Sequence, residues 1–206
     1  MNKIFSIATV VALVATLSFA QGTKIGVRAG FFFNDPTGSD SKEFDMGWGA
    51  GGGLAAVIPI SGDLSVRTGV EFNYSKMFSM EMDDVDYVGG IPMTMKMEMY
   101  ANEFLLSIPV MAQYGIGDAW VGAGAQIGIP FSSEMHSEVE MAGISVSDSK
   151  KLDDRASVDV GIAVGAGYNI TPNIAVDLKA VIGMTNVADD EKISFNQYGL
   201  GLTYFF

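Results

Sequence analysis

The sequence predicts an all-β fold: an eight-stranded antiparallel up-and-down transmembrane β-barrel, preceded by a cleavable signal peptide. Three observations carry this. Eight segments alternate apolar and polar residues with period two. The connections between them alternate between short turns and long acidic stretches. The chain is 49% hydrophobic, yet beyond the first 20 residues no run of 18 apolar residues exists to form a helical span.

The first expected strand, 23–33, puts Ile25, Val27, Ala29, Phe31 and Phe33 on one face, opposite Lys24, Gly26, Arg28 and Gly30. Segment 44–58 sets Met46, Trp48, Ala50, Leu54, Ala56 and Ile58 against Gly47, Gly49, Gly51 and Gly53. Segment 64–74 sets Leu64, Val66, Thr68, Val70, Phe72 and Tyr74 against Ser65, Arg67, Gly69, Glu71 and Asn73. Segment 100–114 sets Phe104, Leu106, Ile108 and Val110 against Glu103, Ser107 and Gln113. Segment 119–131 opposes Val121, Ala123, Ala125, Ile127 and Ile129 to Gly122, Gly124, Gln126 and Gly128. Segment 155–170 opposes Val158, Val160, Ile162, Val164, Ala166 and Tyr168 to Ser157, Asp159, Gly161, Gly165 and Gly167. Segment 174–187 opposes Val176, Leu178, Ala180 and Ile182 to Asp177, Lys179 and Gly183, and 196–206 opposes Tyr198, Leu200, Leu202, Tyr204 and Phe206 to Gln197, Gly199, Gly201 and Thr203. Each segment is near or above the roughly 9–11 residues that a tilted strand needs to cross a bilayer.

Short turns fall at Ser61-Gly62-Asp63, Gly115-Ile116-Gly117-Asp118 and Thr171-Pro172-Asn173. Between them lie segments 34–43, 79–95, 132–154 and 188–195, expected as outer loops. Sixteen of the 24 acidic residues fall in these four, with only Lys42, Lys150, Lys151 and Lys192 as bases. A formal charge of −12 excludes nucleic acid as a partner, whose phosphates demand Lys and Arg.

Residues 1–20 have the build of an export signal. Lys3 gives a positive start, Ile4 to Leu17 an apolar run, and Ser18-Phe19-Ala20 small residues before a cleavage after Ala20. The barrel domain is then 21–206. There is no cysteine, hence no disulfide framework, thiol chemistry or lipid-modified cysteine anchor.

The polar face of the alternating pattern must point into the lumen. An eight-stranded barrel is just wide enough for side chains to fill it, and the glycines on that face make room for larger neighbours. The inward charges are expected to be Arg28, Arg67, Glu71, Glu103, Arg155, Asp159, Asp177 and Lys179, mixed in sign and mutually neutralising. Trp48, Trp120, Tyr100, Tyr114, Tyr168, Tyr198 and Tyr204 lie near strand ends, as interfacial girdles require. Trp120 has lumen parity, so either the register shifts near that turn or this residue caps the barrel floor.

The chain ends on Phe206, with Tyr204 and Leu202 on the same face. This terminus resembles the last strand of bacterial outer-membrane barrels, and the resemblance implies that these three residues are read by the barrel-assembly machinery. The stretches 102–110 (NEFLLSIPV), 159–168 (DVGIAVGAGY) and 199–206 (GLGLTYFF) resemble the PorT-like group of outer-membrane β-barrel domains. The resemblance implies a small barrel in the outer membrane of a Gram-negative cell. It carries over no catalytic residues.

Chemistry-bearing residues are few. His136 is the sole histidine and lies between Glu134 and Glu138, so a closed zinc site or a catalytic triad has little to build on. The acids Glu81, Asp83, Asp84 and Asp86 could offer oxygen ligands to Ca²⁺ but lack the EF-hand spacing. Asp189-Asp190-Glu191 reads the same way. Of 13 methionines, Met77, Met80, Met82, Met93, Met95, Met97 and Met99 cluster around one segment. Alternating thioethers can hold a soft metal, cover a partner or extend a strand. The expectation is a non-enzymatic outer-membrane barrel, without cofactor or metal, structural or partner-binding through its acidic outer loops. Its partners would be outer-membrane lipid, the assembly machinery and an unknown protein at the loops. A narrow channel or ligand-specific pore, a soluble periplasmic ligand-binding barrel and a protease-like or lipid-modifying barrel are the alternatives.

Overall fold

The computed structural model describes residues 22–39, 41–42, 44–88, 91–141, 144–152, 155–186 and 193–206. The expected signal segment 1–20 and the acids Asp189-Asp190-Glu191 lie outside them. Among the described residues nine strands run in chain order: β1 Lys24–Thr37, β2 Asp45–Ser61, β3 Leu64–Val88, β4 Ile91–Ile116, β5 Ala119–Met141, β6 Ile144–Lys151, β7 Asp159–Asn169, β8 Ile174–Gly183 and β9 Ser194–Phe205. Every pairing is antiparallel.

Eight of the strands close a ring, β1–β2–β3–β4–β5–β7–β8–β9 and back to β1. Closure is a full ladder between β1 and β9, from Gly26 opposite Phe205 to Thr37 opposite Ser194. A closed ring satisfies every backbone group internally, which is the condition for spanning hydrocarbon. The two faces of the pleat alternate as the sequence predicts. Val27, Phe31, Phe33, Leu54, Leu178, Leu200 and Leu202 stand exposed on the outside, while Arg28, Asn34, Glu71, Asn73, Gln126 and Thr203 are buried inside.

Three tight connections sit at one end. Ser61 pairs with Leu64 across Gly62-Asp63, and Ile116 pairs with Ala119 across Gly117-Asp118. Gly62 and Gly117 take φ of +55° and +64°, the left-handed region that two-residue hairpins use. In the third, Thr171 Oγ1 accepts from the Ile174 backbone N–H at 3.0 Å, and Asn173 Nδ2 donates to the Phe205 carbonyl at 2.8 Å, tying this turn to the last strand.

At the other end the structure corrects the sequence reading. Among the described residues, segments 79–95 and 132–151 are strand rather than loop. β3 and β4 continue as a hairpin whose last pair is Val88 opposite Ile91, and β5 continues to Met141 and turns back as β6. β6 pairs only with the upper part of β5, whereas the lower part of β5, Ala119–Gly128, pairs with β7. A four-stranded sheet of β3, β4, β5 and β6 therefore rises beyond the ring. The acidity of these segments resembled a solvated loop, but alternation persists through them, and only two residues separate β3 from β4 and β5 from β6. Three other bounds shift: β7 begins at Asp159 rather than 155, β8 ends at Gly183 rather than 187, and β1 runs through Asn34 to Thr37.

Two bulges re-aim the strands that rise. One lies on β3 between Lys76 and Phe78, turning both Met77 and Phe78 inward against Ala101. The other lies on β5, where Phe104 pairs with Ser132 but Leu105 pairs with Pro130. Phe44, Met135, Leu152 and Phe195 pack on the Met77–Phe78–Ala101 cluster and make an apolar layer at the mouth.

Outside, aromatic rings run around five consecutive strands. Phe31 meets Phe33 at 5.1 Å and Trp48 at 6.2 Å; Trp48 meets Tyr74 at 6.1 Å, Tyr74 meets Phe104 at 5.2 Å, and Phe104 meets Phe131 at 6.2 Å. Tyr114, Tyr168, Tyr204 and Phe206 form the exposed aromatics at the turn end, with Tyr204 and Phe206 at 6.0 Å. Along β2 the exposed residues from Trp48 to Ile60 cover about 40 Å of strand, or close to 30 Å of height at a tilt of about 40°. That matches a bilayer core.

Candidate functional site: a filled lumen and an outer sheet

Parity places the charged side chains of five different strands in one narrow lumen, where each must find a partner because bare buried charge is prohibitive. Asp177 on β8 sits at the centre, its side chain 3% exposed. Arg28 Nη2 on β1 donates to Asp177 Oδ2 at 2.7 Å, and Arg67 Nη2 on β3 donates to Asp177 Oδ1 at 3.1 Å and to Thr203 Oγ1 at 3.0 Å. Arg28 also pairs with Glu71 at 3.2 Å, and Lys179 pairs with the same Glu71 at 3.3 Å. From Lys179 a polar chain climbs toward the mouth. Lys179 Nζ donates to Gln126 at 2.9 Å, Gln126 to Gln197 at 3.2 Å, Gln197 to Asn34 at 3.2 Å and Asn34 to Ser75 at 2.6 Å.

A second cluster closes the upper lumen. Arg155 bridges Glu103, at 2.8 Å, and Asp159, at 2.5 Å, while Ser133 Oγ donates to Glu103 at 2.9 Å. Arg155 precedes β7 rather than lying in it, yet its guanidinium reaches the lumen. The structure thus places all eight expected lumen charges inside, in these two clusters. Four cations face four anions, so the lumen carries no net charge from them.

Glycines shape the space. A Cβ on Gly201 would overlap the Arg28 guanidinium, one on Gly51 would overlap Asn73 Oδ1, and one on Gly167 would lie 2.5 Å from the Trp120 ring. Trp120 is buried and points inward near the turns, with Arg67 Cζ 4.8 Å over its ring. It caps the floor, which settles its lumen parity without a register shift. The lumen cavities among the described residues are small: about 60 Å³ between Asn34, Gln126, Glu103 and Arg155, and about 20 and 10 Å³ lower down. A few waters fit such spaces; an open pore does not.

Sequence reasoning missed several lumen residues. Phe32, Asn34, Met111 and Val181 all have lumen parity, and Met111 and Val181 pack with Ala163 as a small apolar patch. The signal was the same alternation, extended into segments assigned to loops or read for polar residues alone.

On the outer sheet, His136 stacks on Tyr100 at 4.9 Å, and Lys76 Nζ lies 4.7 Å over the same Tyr100 ring and 3.6 Å from Glu98. Among the described residues no three His, Asp or Glu side chains are gathered to hold a metal ion. Glu81 is exposed on β3; the side chains of Asp83, Asp84 and Asp86 lie outside the described residues, although their backbone continues the strand.

Several solved structures are similar to this chain at low identity. Neisserial surface protein A is 15% identical, with 90% of this chain and 100% of that one covered and a TM-score of 0.48. The attachment invasion locus protein Ail of Yersinia pestis is 13% identical, with 89% and 98% covered and a TM-score of 0.40. A major outer membrane protein of Thermus thermophilus is 14% identical, with 90% and 100% covered and a TM-score of 0.44. No curated protein matches. Residues 6–206 match the outer membrane protein beta-barrel domain. With its closed ring of eight antiparallel strands and its apolar outer belt, the chain belongs to the outer membrane beta-barrel domain family.

Proposed function

We propose that this protein is a non-enzymatic, non-conducting barrel of the outer membrane, which acts as a rigid support for the sheet that β3, β4, β5 and β6 raise beyond its rim. The observation that carries the reading is the filled lumen, where eight charges neutralise one another and the small cavities left among them do not exceed about 60 Å³. The lumen carboxylates are all engaged by cations, which leaves them structural rather than poised for proton transfer. The short turns then face the periplasm and the raised sheet faces outward, the usual asymmetry of such barrels. The stretches 102–110, 159–168 and 199–206 support placement in the PorT-like group, the build of residues 1–20 supports export with cleavage after Ala20, and the last strand supports recognition of Leu202, Tyr204 and Phe206 during assembly. Outer-membrane lipid, the assembly machinery and a protein bound at the raised sheet are its proposed partners.

The test has two parts. The membrane fraction, run on a detergent gel with and without boiling, is expected to show a heat-dependent shift. The purified barrel in planar bilayers is expected to give no reproducible conductance steps. Regular unitary steps would replace the reading with a channel.

A further inference from the structure

The raised sheet is amphipathic; on β3 and β4 its lumen-side face carries thioethers, with Ser137 and Val139 of β5 opposite Met99 and Met97. Strand parity carries the inward face of β4 from Glu103 through Ala101 to Met99, Met97 and Met95, because neither bulge lies on β4. On β3 the bulge at Met77 brings Met80 and Met82 onto the same face. Met80 then stands directly opposite Met99, and Met82 opposite Met97. Directly opposed side chains have Cβ atoms about 4.5–5.5 Å apart, and diagonal ones about 7–8 Å. Flexible three-bond arms let four sulfurs at these positions converge on one point.

These methionines are not simple core. Met77, at the mouth, is 3% exposed, but Met82 is 46% exposed, and Met80, Met97 and Met99 are only partly covered. Packing alone would favour β-branched or aromatic residues on a strand face. The opposite face carries Glu81, Glu98, Glu134, Glu138 and Glu140 against the bases Lys76, Lys96 and Lys151, so acids outnumber bases there and the field at the sheet is negative. The chain has no cysteine, and its one histidine stacks on Tyr100 on that other face. Neutral, soft sulfur donors in a negative field select a soft cation of low charge; Zn²⁺ and Ca²⁺ want harder ligands.

We propose that Met80, Met82, Met97 and Met99 form a thioether site for a soft monovalent cation, Cu(I) or Ag(I), at the outer mouth of the barrel. The site binds the ion without changing its oxidation state.

The test uses the full barrel, folded in detergent. It is titrated with Ag(I) in chloride-free buffer, and with Cu(I) held reduced under anaerobic conditions against a Cu(I) chelator. X-ray absorption on the loaded protein reads the ligand set. The expected result is one tightly held ion per chain with a shell of sulfur only. Replacing all four by leucine (M80L, M82L, M97L, M99L) abolishes uptake, while the heat-dependent gel shift shows that the barrel still closes. Leucine for methionine conserves volume, so the fold should tolerate it. The smaller pair M82L and M97L serves if the fourfold variant does not fold, with the same loss expected. The control M46L and M184L, exposed methionines away from this face, leaves uptake unchanged. No uptake by the wild type above the leucine variant overturns the proposal, as does equal loss in the control or a shell of nitrogen and oxygen.

Discussion

Replacing Asp177 by Asn removes the charge that joins two cations in the lumen while nearly conserving shape. Asp177 receives Arg28 at 2.7 Å and Arg67 at 3.1 Å, and the side chains of all three are at most 8% exposed. Two unit charges about 4 Å apart interact by about 4 kcal/mol at an effective dielectric of about 20. Two such contacts are lost, and the desolvation of one carboxylate is recovered. Arg28 keeps Glu71 at 3.2 Å, whereas Arg67 keeps no carboxylate, only Thr203 and the Trp120 ring. The net expectation is the cost of breaking a buried pair, about 3–5 kcal/mol. For a domain of this size each kcal/mol moves the melting temperature by about 2–4 °C, so D177N should melt about 6–20 °C lower. The assay is the temperature at which the compact gel band disappears. Pairing D177N with R67M restores neutrality, and the double variant should lose less than the sum of the two single changes. A D177N midpoint within about 2 °C of wild type, or strict additivity in the double variant, would refute the view that these charges act as one neutral network.

Three further outcomes follow from the same geometry. Gly201→Val forces a side chain into the Arg28 guanidinium, whose Nη2 a Cβ would overlap, and should cost more than the about 1–3 kcal/mol of simple overpacking; thermal midpoints of G201V and of G115V, where a Cβ meets nothing closer than 3.6 Å, make the comparison. Gly62→Val places a β-branched residue at a φ of +55° and should lower stability by about 1–2 kcal/mol without changing the lumen, as read by gel-shift midpoint. Deleting Phe206 removes one backbone hydrogen bond, from its N–H to the Ile25 carbonyl at 2.9 Å, so refolding in detergent should barely change while the protein fails to reach the membrane in cells; normal insertion, read by fractionation, would remove Phe206 from the assembly signal.

Much of this molecule is legible along the chain because lipid and lumen impose opposite demands on successive residues. A charge at Arg28, Asp177 or Lys179 has nowhere to stand but inside, so parity alone places it. Partner choice is not local: Arg28 meets Asp177 across 149 positions of sequence, and only ring closure decides that. The raised sheet was obscured for a different reason. In 80–82 and 95–99 charged residues alternate with methionines instead of β-branched residues, and Asp83-Asp84 follows Met82, so the charge of this segment outweighed its periodicity. Trp120 was marked by its parity but explained only by the Gly167 on the neighbouring strand that leaves space for its ring.

A barrel whose alternate residues face lipid and a sealed lumen makes a direct demand on labelling. The absence of cysteine makes single-cysteine variants clean. Cysteines placed at Leu54, Leu178, Leu200 and Leu202, and at Ser107, Gln126 and Thr203, would carry a fluorophore or react with a water-soluble thiol reagent in reconstituted vesicles. A lipid-dissolved quencher should reach the first four positions, while the other three resist both quencher and reagent. Uniform quenching, or ready aqueous labelling at Leu200, would contradict the account.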